Sequence, residues 1–372
     1  MSQEIEIGLG KKGRLAYSLD DVSIVPSRRT RDPQDVSTSW QVDAYEFDVP
    51  VIGAPMDSVT SPATAIAMGK MGALGVLDLE GLWTRYDDPQ PLLDEIAELP
   101  AESATERIQQ IYAEPIKPEL IVERLHEIRD AGVTVAGACP RSARRTIIRP
   151  CSKRASTCSS SAARSFPPST SPRHHEPLNL KKFIYDLDVP VIVGGAANYT
   201  AALHLMRTGA AGVLVGFGGG AVSANRNTIG VHAPMATAIA DVAEARRDYM
   251  DESGGRYVQV IADGGMGDSG SFIKAFALGA DAVMLGSPLA RAEEAPGKGM
   301  HWGAEARHQT LPRGFRTNVG TVGTLEDIMF GPSHNADGTT NYIGALRRAM
   351  ATTGYVDLKS FQRCPVTVAP TR

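Results

Sequence analysis

Short apolar runs rich in β-branched residues recur along the chain, and each ends in glycine, alanine or aspartate. Between them lie stretches whose apolar residues recur every three or four positions, as in "PELIVERLHEIRDAG" and "TAALHLMRTGA". The first pattern is typical of buried strands and the second of amphipathic helices. The predicted strands are 49–54, 73–78, 132–138, 189–195, 211–217, 257–265 and 280–287.

These seven strands leave a gap between residues 138 and 189 that can hold one more helix–strand–helix passage. Eight strands alternating with helices make a (β/α)8 barrel. The alternative is an open doubly wound sheet, but the unit "GADAVMLGS" closes the series as a last barrel strand does. We therefore predict an α/β fold with one TIM-barrel domain over residues 1–372, an N-terminal extension and a long flap after the eighth strand.

The segment 139–175 departs from this pattern. It holds seven Arg, one Lys, five Pro and nine Ser, without Asp, Glu or Gly, and it contains three of the four cysteines. One interpretation is a disordered basic linker. A second is a zinc site, although the cysteines lack the short paired spacing that such sites use. The third, which we favour, is a reading-frame slip restored near Glu176, because GC-rich codons read out of frame give this mixture. The zinc ligands would be Cys139, Cys151, Cys158, His174 and His175.

Composition narrows the class of partner. The net charge of −4 gives no reason to expect nucleic acid or a membrane surface as partner. The start lacks an apolar leader, and no run of 18 apolar residues occurs, so we expect a cytoplasmic protein. Four cysteines fit a reducing compartment and provide no disulfide framework.

Candidate chemistry lies at the predicted strand ends, where barrel enzymes place their sites. A glycine-rich loop, "VGFGGGAVSANRNTIGVHAPMA", follows the sixth strand, "DGG" (263–265) the seventh and "GS" (286–287) the eighth. Two glycine-bearing ends on the last two strands predict a phosphate site made of backbone N–H groups. Asp263 beside it is placed to accept from two ribose hydroxyls, with a helix N-cap or a turn residue as the alternative role.

Five motifs in this order resemble those of the IMP dehydrogenase/GMP reductase family: "YSLDDVSIVP", "VIGAPMDSVT", "IADGGMGDSG", "GADAVMLGSPLARAEEAPG" and the loop from Gly216 to Pro234. The likeness is greatest to the IMP-dehydrogenase-related branch without the tandem CBS regulatory domain. It covers nearly the whole chain except 139–175. The resemblance implies a covalent mechanism: a cysteine thiolate adds to C2 of the purine, hydride passes to NAD, and water hydrolyses the adduct.

The family's catalytic loop reads G-x-G-x-G-S-x-C-T-T-R, and this chain departs from it at the reactive positions. Ser223 stands at the cysteine position, and no histidine or carboxylate between Gly216 and His232 can activate it. Asn225 replaces a threonine that handles the attacking water, and Ala196 replaces an asparagine near the dinucleotide. The flap looks shortened, and its Arg–Tyr pair is represented by Arg307 and His308.

The remaining roles are also implied by the resemblance. Met56 would pack on the purine, with core packing as its alternative role. NAD would lie against Gly216, Phe217 and Gly218, and a monovalent cation such as K⁺ against Gly218 and Gly220. The substrate-binding set is Met56, Gly220, Asp263, Gly264, Gly265, Gly286, Ser287 and His301, and the catalytic set is Ser223, Asn225 and Arg307.

We therefore expect an NAD-dependent dehydrogenase that oxidises IMP to XMP in guanine nucleotide biosynthesis, impaired by Ser223, and assembled as the homotetramer that the family implies. One alternative is a non-catalytic binder of purine 5′-monophosphates that acts on an active paralogue. A GMP reductase is another, equally affected by the missing cysteine. An FMN-dependent barrel oxidoreductase is more distant, since such enzymes use a similar "DGG…GADAV" phosphate site.

Overall fold

Eight parallel strands close into a barrel in the computed structural model, which describes residues 4–138, 158–160, 179–307 and 315–369. The last barrel strand pairs with the first, Val283 opposite Val51, so the sheet has no open edge there. The alternative of an open doubly wound sheet is therefore wrong. In chain order the barrel strands are Val51–Gly53, Leu74–Asp78, Ala136–Ala138, Cys158–Ser160, Val191–Ala196, Gly212–Val215, Gln259–Asp263 and Ala282–Leu285.

All seven strands predicted from the apolar runs are present. Every residue of the second strand and every residue of the sixth is buried. This burial is expected because helices cover the outside of a parallel barrel while side chains fill its inside. A continuous apolar run is therefore the correct signature of these strands.

The fourth strand lies inside the segment of anomalous composition. Cys158–Ser160 pairs with the third strand, Gly137 opposite Cys158, and with the fifth, Val191 opposite Cys158. The polar triplet therefore closes the ladder between two apolar neighbours. Cys139, Cys151, His174 and His175, which the zinc interpretation requires, lie outside the described residues.

Helices pack around the barrel through their apolar faces. The longest, Met235–Glu252, buries Ile239, Val242 and Tyr249. Ser61 begins the first helix with a reciprocal cap to Thr64, which satisfies backbone donors at the helix start. The helices of the described ranges are Pro62–Lys70, Gln90–Glu98, Ala101–Ile111, Pro118–Asp130, Leu180–Tyr185, Tyr199–Met206, Asn225–Thr228, Met235–Glu252, Ser269–Ala277, Ser287–Ala290, Leu325–Phe330, Tyr342–Thr353 and Leu358–Phe361, with 3₁₀ turns at Leu19–Asp21, Pro33–Asp35, Leu82–Thr84 and Ala304–Arg307.

Short antiparallel pairs of strands lie outside the barrel, and they form the predicted N-terminal extension and flap. Glu4–Gly8 pairs with Lys11–Arg14, and Trp40–Val42 with Tyr45–Phe47. Val22–Ile24 pairs with Val366–Val368, which ties the two ends of the described chain together. After the eighth barrel strand, Met300–Trp302 pairs with Arg316–Asn318; we call this pair the flap hairpin. None of the helices in the described ranges is both long and apolar enough to cross a membrane.

Candidate active site

A cavity of about 250 Å³ opens at the carboxyl ends of the barrel strands. This is slightly below the usual range of small-molecule sites, roughly 300–1,000 Å³. Its walls come from the ends of the first, second, fifth, seventh and eighth strands, the loop after the sixth strand, and the turn after the first strand of the flap hairpin. The lining residues are Ala54, Pro55, Met56, Asp78, Gly195, Gly216, Phe217, Gly218, Gly219, Gly220, Val222, Ser223, Asn225, Asp263, Gly264, Met284, Gly303, Ala304 and Glu305.

The glycine-rich loop lies directly against the end of the seventh strand. A β-carbon at Gly216 would come within 2.2 Å of the carbonyl oxygen of Asp263, and the φ of Gly216 is +136°. At Gly218, φ is +73° and a β-carbon would lie 3.0 Å from the carbonyl oxygen of Val231. Larger residues would push the loop away from the strand, so these glycines allow its backbone to form the cavity wall.

Asp263 ends the seventh strand and faces this cavity. Burial raises the pKa of its carboxyl group to about 6, because removal from water disfavours the charged form. The helix after it begins instead at Asp268, whose side chain accepts from the backbone N–H of Ser271. The alternative of Asp263 as a helix N-cap is therefore wrong.

Ser223 belongs to a hydrogen-bonded trio that the sequence did not reveal. The Asn225 side-chain nitrogen donates to Ser223 Oγ at 2.9 Å and to Glu305 Oε1 at 3.1 Å. Glu305 comes from the 3₁₀ turn Ala304–Arg307, between the two strands of the flap hairpin. The loop itself lacks a carboxylate, as the sequence indicated, but the fold brings one to it from elsewhere in the chain.

The predicted phosphate region lies beside the cavity rather than in its wall. Ser287 opens the short helix Ser287–Ala290 directly after the eighth strand. A β-carbon at Gly286 would lie 3.4 Å from Met56 Sδ and 3.4 Å from His301 Nε2, which places these side chains against that strand end. Gly286, Ser287 and His301 are thus close to Met56, while Gly265 lies against the Met235 side chain, where a β-carbon would be 3.4 Å from its Cγ.

His301 is buried, and burial lowers the pKa of its imidazole to about 4. Its Nδ1 lies 2.9 Å from the Ser58 hydroxyl, which also lies 3.1 Å from the Trp302 carbonyl oxygen. At neutral pH this ring is therefore uncharged. Contact with a phosphate would have to be a neutral hydrogen bond.

Arg307, predicted as the flap arginine, does not line the cavity. Its guanidinium lies 3.4 Å from an Asp78 oxygen and 3.3 Å from a Glu80 oxygen, and it donates to the Glu80 carbonyl at 2.6 Å. Side chains from the end of the second strand thus hold it behind the site. The contacts show Arg307 anchoring the flap region, and His308 lies outside the described residues.

A second buried network supports the same region. Tyr112 donates to Asp57 Oδ2 at 2.5 Å and accepts from Trp302 Nε1 at 3.0 Å. Burial, and then the nearby Asp78 carboxylate, raise the pKa of Asp57 to about 7. The network ties the flap hairpin to the first barrel strand end, directly after Met56.

The cofactor and cation positions predicted from the sequence lie together. Gly216, Phe217 and Gly218 line one wall of the cavity, whereas Ala196 is buried and outside it. The Gly220 carbonyl already accepts from the Ser223 backbone N–H at 3.0 Å, so a cation there would use its second lone pair. In the described part of the chain, no three His, Cys, Asp or Glu side chains are grouped to hold a metal ion.

Comparison of the sequence with known protein families assigns this chain to one of them. The sequence profile of the IMP dehydrogenase / GMP reductase domain matches residues 16–134 and 176–317. The interruption between these two stretches contains the whole of the anomalous segment 139–175.

Individual relatives match over most or nearly all of the chain. An uncharacterized oxidoreductase of Mycolicibacterium smegmatis is 46% identical, covering 98% of this chain and 99% of its own length. The inosine-5′-monophosphate dehydrogenase of Methanocaldococcus jannaschii is 25% identical over 77% of this chain and 74% of its own length. A crystal structure of an IMP dehydrogenase/GMP reductase-like protein from Corynebacterium glutamicum matches with a TM-score of 0.89 at 46% identity, covering 98% of this chain and 97% of that one.

Proposed function

This chain belongs to the IMP dehydrogenase/GMP reductase family of oxidoreductases, and from that premise we propose that it binds IMP and oxidises it to XMP with NAD. The balanced reaction is IMP, NAD⁺ and water giving XMP, NADH and a proton. The observation that carries the proposal is the shared cavity of Asp263, Met56 and the Gly216–Asn225 loop. These come from three different strand ends, where barrel enzymes collect their ligands.

The nucleotide would be held mainly by hydrogen bonds and one apolar contact. Asp263 would accept from the ribose hydroxyls, and Met56, partly buried against the core, would pack on the purine. The 5′-phosphate would lie at the backbone N–H groups of Gly265, Gly286 and Ser287, with His301 as a neutral neighbour. This arrangement recognises a purine 5′-monophosphate rather than a free base.

Gly216, Phe217 and Gly218 would hold the dinucleotide. Gly216 and Gly218 carry no side chain, so the loop backbone itself forms this wall and a planar ring could lie close to it. When bound, NAD supplies the acceptor for the hydride. A monovalent cation at Gly218 and Gly220, and assembly into a homotetramer, belong to the same proposal.

Ser223 limits the proposed rate. A serine hydroxyl is almost wholly protonated at neutral pH, so it is a far weaker nucleophile than a thiolate. This favours a second candidate function, a purine-nucleotide binder with little turnover that acts on an active paralogue.

Two measurements on the same protein separate these functions. Calorimetric titration with IMP tests binding, and absorbance at the NADH band with IMP and NAD tests turnover. Binding with slow NADH formation supports the proposed enzyme, and binding without any NADH supports the regulator. Absence of IMP binding overturns both, and a yellow purified protein would indicate an FMN enzyme instead.

A further inference from the structure

His301 is held at one ring nitrogen and presents the other to the end of the eighth barrel strand. Its Nδ1 lies 2.9 Å from the Ser58 hydroxyl oxygen, and both residues are buried. Its Nε2 has no hydrogen-bond partner among the described residues, and a β-carbon at Gly286 would lie 3.4 Å from it. A neutral imidazole donates from one nitrogen and accepts at the other, so the role of Nε2 depends on which nitrogen carries the hydrogen.

The Ser58 hydroxyl meets three polar groups with a single hydrogen. Besides His301 Nδ1, its Oγ lies 3.1 Å from the Trp302 carbonyl oxygen, and it accepts from the Trp302 backbone N–H at 3.3 Å. A serine hydroxyl has one hydrogen to donate and two lone pairs with which to accept. The hydrogen can therefore go to the Trp302 carbonyl or to His301 Nδ1, but not to both.

The backbone of Trp302 takes no part in the ladder of the flap hairpin. The Val319 N–H donates to the Gly299 carbonyl at 2.9 Å, and bonded pairs alternate along an antiparallel ladder, so Trp302 falls at a position without ladder bonds. Its N–H and carbonyl point toward Ser58 instead. Trp302 is only 1% exposed, and a buried carbonyl left without a donor costs free energy.

One arrangement uses every group. His301 Nδ1–H donates to Ser58 Oγ, the Ser58 hydroxyl donates to the Trp302 carbonyl, and the Trp302 N–H donates back to Ser58. The ring then carries its hydrogen on Nδ1, and Nε2 keeps a free lone pair. Burial lowers the pKa of His301 to about 4, so the ring gains no second proton at neutral pH.

We propose that Ser58 is a positioning residue that holds the hydrogen of His301 on Nδ1, so that Nε2 accepts a hydrogen bond from the ligand at the end of the eighth strand. The proposal rests on the proposed function for the identity of that ligand, a purine 5′-monophosphate. A phosphate dianion offers only acceptors and would repel the Nε2 lone pair, whereas a phosphate that keeps one proton donates through its P–OH group. The site therefore selects the singly protonated phosphate.

Nitrogen NMR of the full chain with isotope-labelled histidine tests the tautomer without a ligand. At pH 7 His301 should show a protonated Nδ1 and an unprotonated Nε2, and its signals are those missing from His301→Gln. Ser58→Ala removes the partner of Nδ1 and should let the hydrogen move to Nε2. Ser23→Ala, at an exposed serine on Val22–Ile24, is the matched control and should leave the His301 signals unchanged. A hydrogen on Nε2 in the unmodified protein would overturn the proposal.

Calorimetry with IMP in buffers of different ionisation enthalpy tests the phosphate. The second pKa of a phosphate monoester is about 6, so free IMP is mostly dianionic at pH 7.5, and binding should take up close to one proton per IMP. Affinity should then fall about tenfold from pH 7.5 to 8.5, because one proton is linked to each complex. Ser58→Ala should bind IMP with less proton uptake, since Nε2–H can then donate to the dianion.

Two carboxyl groups near the site could also take up a proton. Asp57 directly precedes Ser58, and its pKa is raised to about 7 by burial and by Asp78; burial raises that of Asp263 to about 6. Asp57→Asn and Asp263→Asn should each retain the uptake if the proton lies on the phosphate. Loss of the uptake in either variant would overturn the proposal.

The two measurements distinguish failure of the proposal from failure of the proposed function. If IMP binds without proton uptake, or if its binding moves the hydrogen of His301 to Nε2, the proposal is overturned while the proposed function stands. If the unmodified protein binds no IMP, the proposed function fails, and NMR of the free protein alone decides whether Ser58 sets the tautomer.

Discussion

At the residue scale, Asp263 combines two properties that bear on nucleotide binding. It lines the cavity, and burial raises the pKa of its carboxyl group to about 6. A carboxylate must be ionised to accept from both ribose hydroxyls. Its contribution to nucleotide binding should therefore be small below pH 6 and grow as the pH rises through that value.

Asp263→Ala should weaken IMP binding by roughly 1.5–3 kcal/mol, as expected for hydrogen bonds to a charged group. Calorimetry at pH 7.5 measures this directly. The ratio of affinities between the unmodified protein and Asp263→Asn should increase from pH 5 to pH 7.5, and the titration of the phosphate cancels in that ratio. Unchanged affinity in Asp263→Ala would remove Asp263 from the site.

Ser223→Cys should raise NADH formation from IMP and NAD by at least roughly tenfold, equivalent to a barrier lower by about 1.4 kcal/mol. The reason is that a thiol supplies some thiolate at neutral pH, whereas a serine hydroxyl does not. Ser223→Ala is the control and should give no increase. If the unmodified protein already turns over at rates typical of enzymes, Ser223 is not limiting and this explanation is wrong.

At the element scale, the flap hairpin is held to the barrel both by an apolar cluster that includes Trp302 and by buried polar contacts. Trp302 reaches Asp57 through Tyr112, and Ser58 contacts both His301 and Trp302. Such networks position an element well only while their groups are paired and in the right protonation state. The position of the flap hairpin therefore depends on the protonation state of Asp57.

The pKa of Asp57 is raised to about 7 by burial and by the neighbouring Asp78, against about 4 for an unfolded aspartate. Because the folded-state pKa lies above the unfolded value, the stability that protonated Asp57 contributes is fully present below about pH 4. It is lost as the pH rises through 7. Asp57→Asn carries no such charge, so its free energy of unfolding should change less over this interval. Urea unfolding at several pH values between 4.5 and 8 measures the difference.

In that experiment the unmodified protein should lose stability relative to Asp57→Asn as the pH increases. Parallel curves for the two proteins would show that Asp57 keeps the same protonation state in the folded and unfolded chains. Asp263→Asn removes a carboxyl in the cavity whose pKa burial raises to about 6, so it should also gain stability relative to the unmodified protein, but over a lower pH range.

At the scale of the whole molecule, the barrel closes through a polar triplet, Cys158–Ser160, where a buried parallel strand normally has β-branched residues. The family match stops at residue 134 and resumes at 176, on either side of this triplet. Both observations concern the segment 139–175, whose composition differs from that of the rest of the chain.

If a frame slip produced this segment, translating the gene across 139–175 in another frame should give an amphipathic helix followed by a β-branched strand, joining smoothly at "EPLNLKK". Re-sequencing the gene and translating it in all frames is the measurement. A protein with the restored segment should unfold at higher denaturant concentration, because an apolar fourth strand would bury more surface between its neighbours. If no frame gives that pattern, the segment is native to the protein.

The sequence by itself determined the parts of this protein that depend on local pattern. Apolar runs located seven barrel strands because a strand buried on both faces needs apolar residues at nearly every position. The glycines at 216 and 218 marked the loop because positive φ and close backbone approach exclude larger residues. Asp263 could be placed in the site because strand ends of a barrel converge on one face.

Only the tertiary structure decided which distant side chains meet. Glu305 reaches Asn225, Tyr112 links Trp302 to Asp57, and Arg307 is held by Asp78 and Glu80 instead of facing the cavity. No periodicity encodes these contacts, because they join elements far apart in the chain and depend on how loops pack over the barrel. The position of the fourth strand, Cys158–Ser160, could not be predicted from the sequence either. Its backbone hydrogen bonds to the neighbouring strands form without the β-branched side chains by which a buried strand is usually recognised.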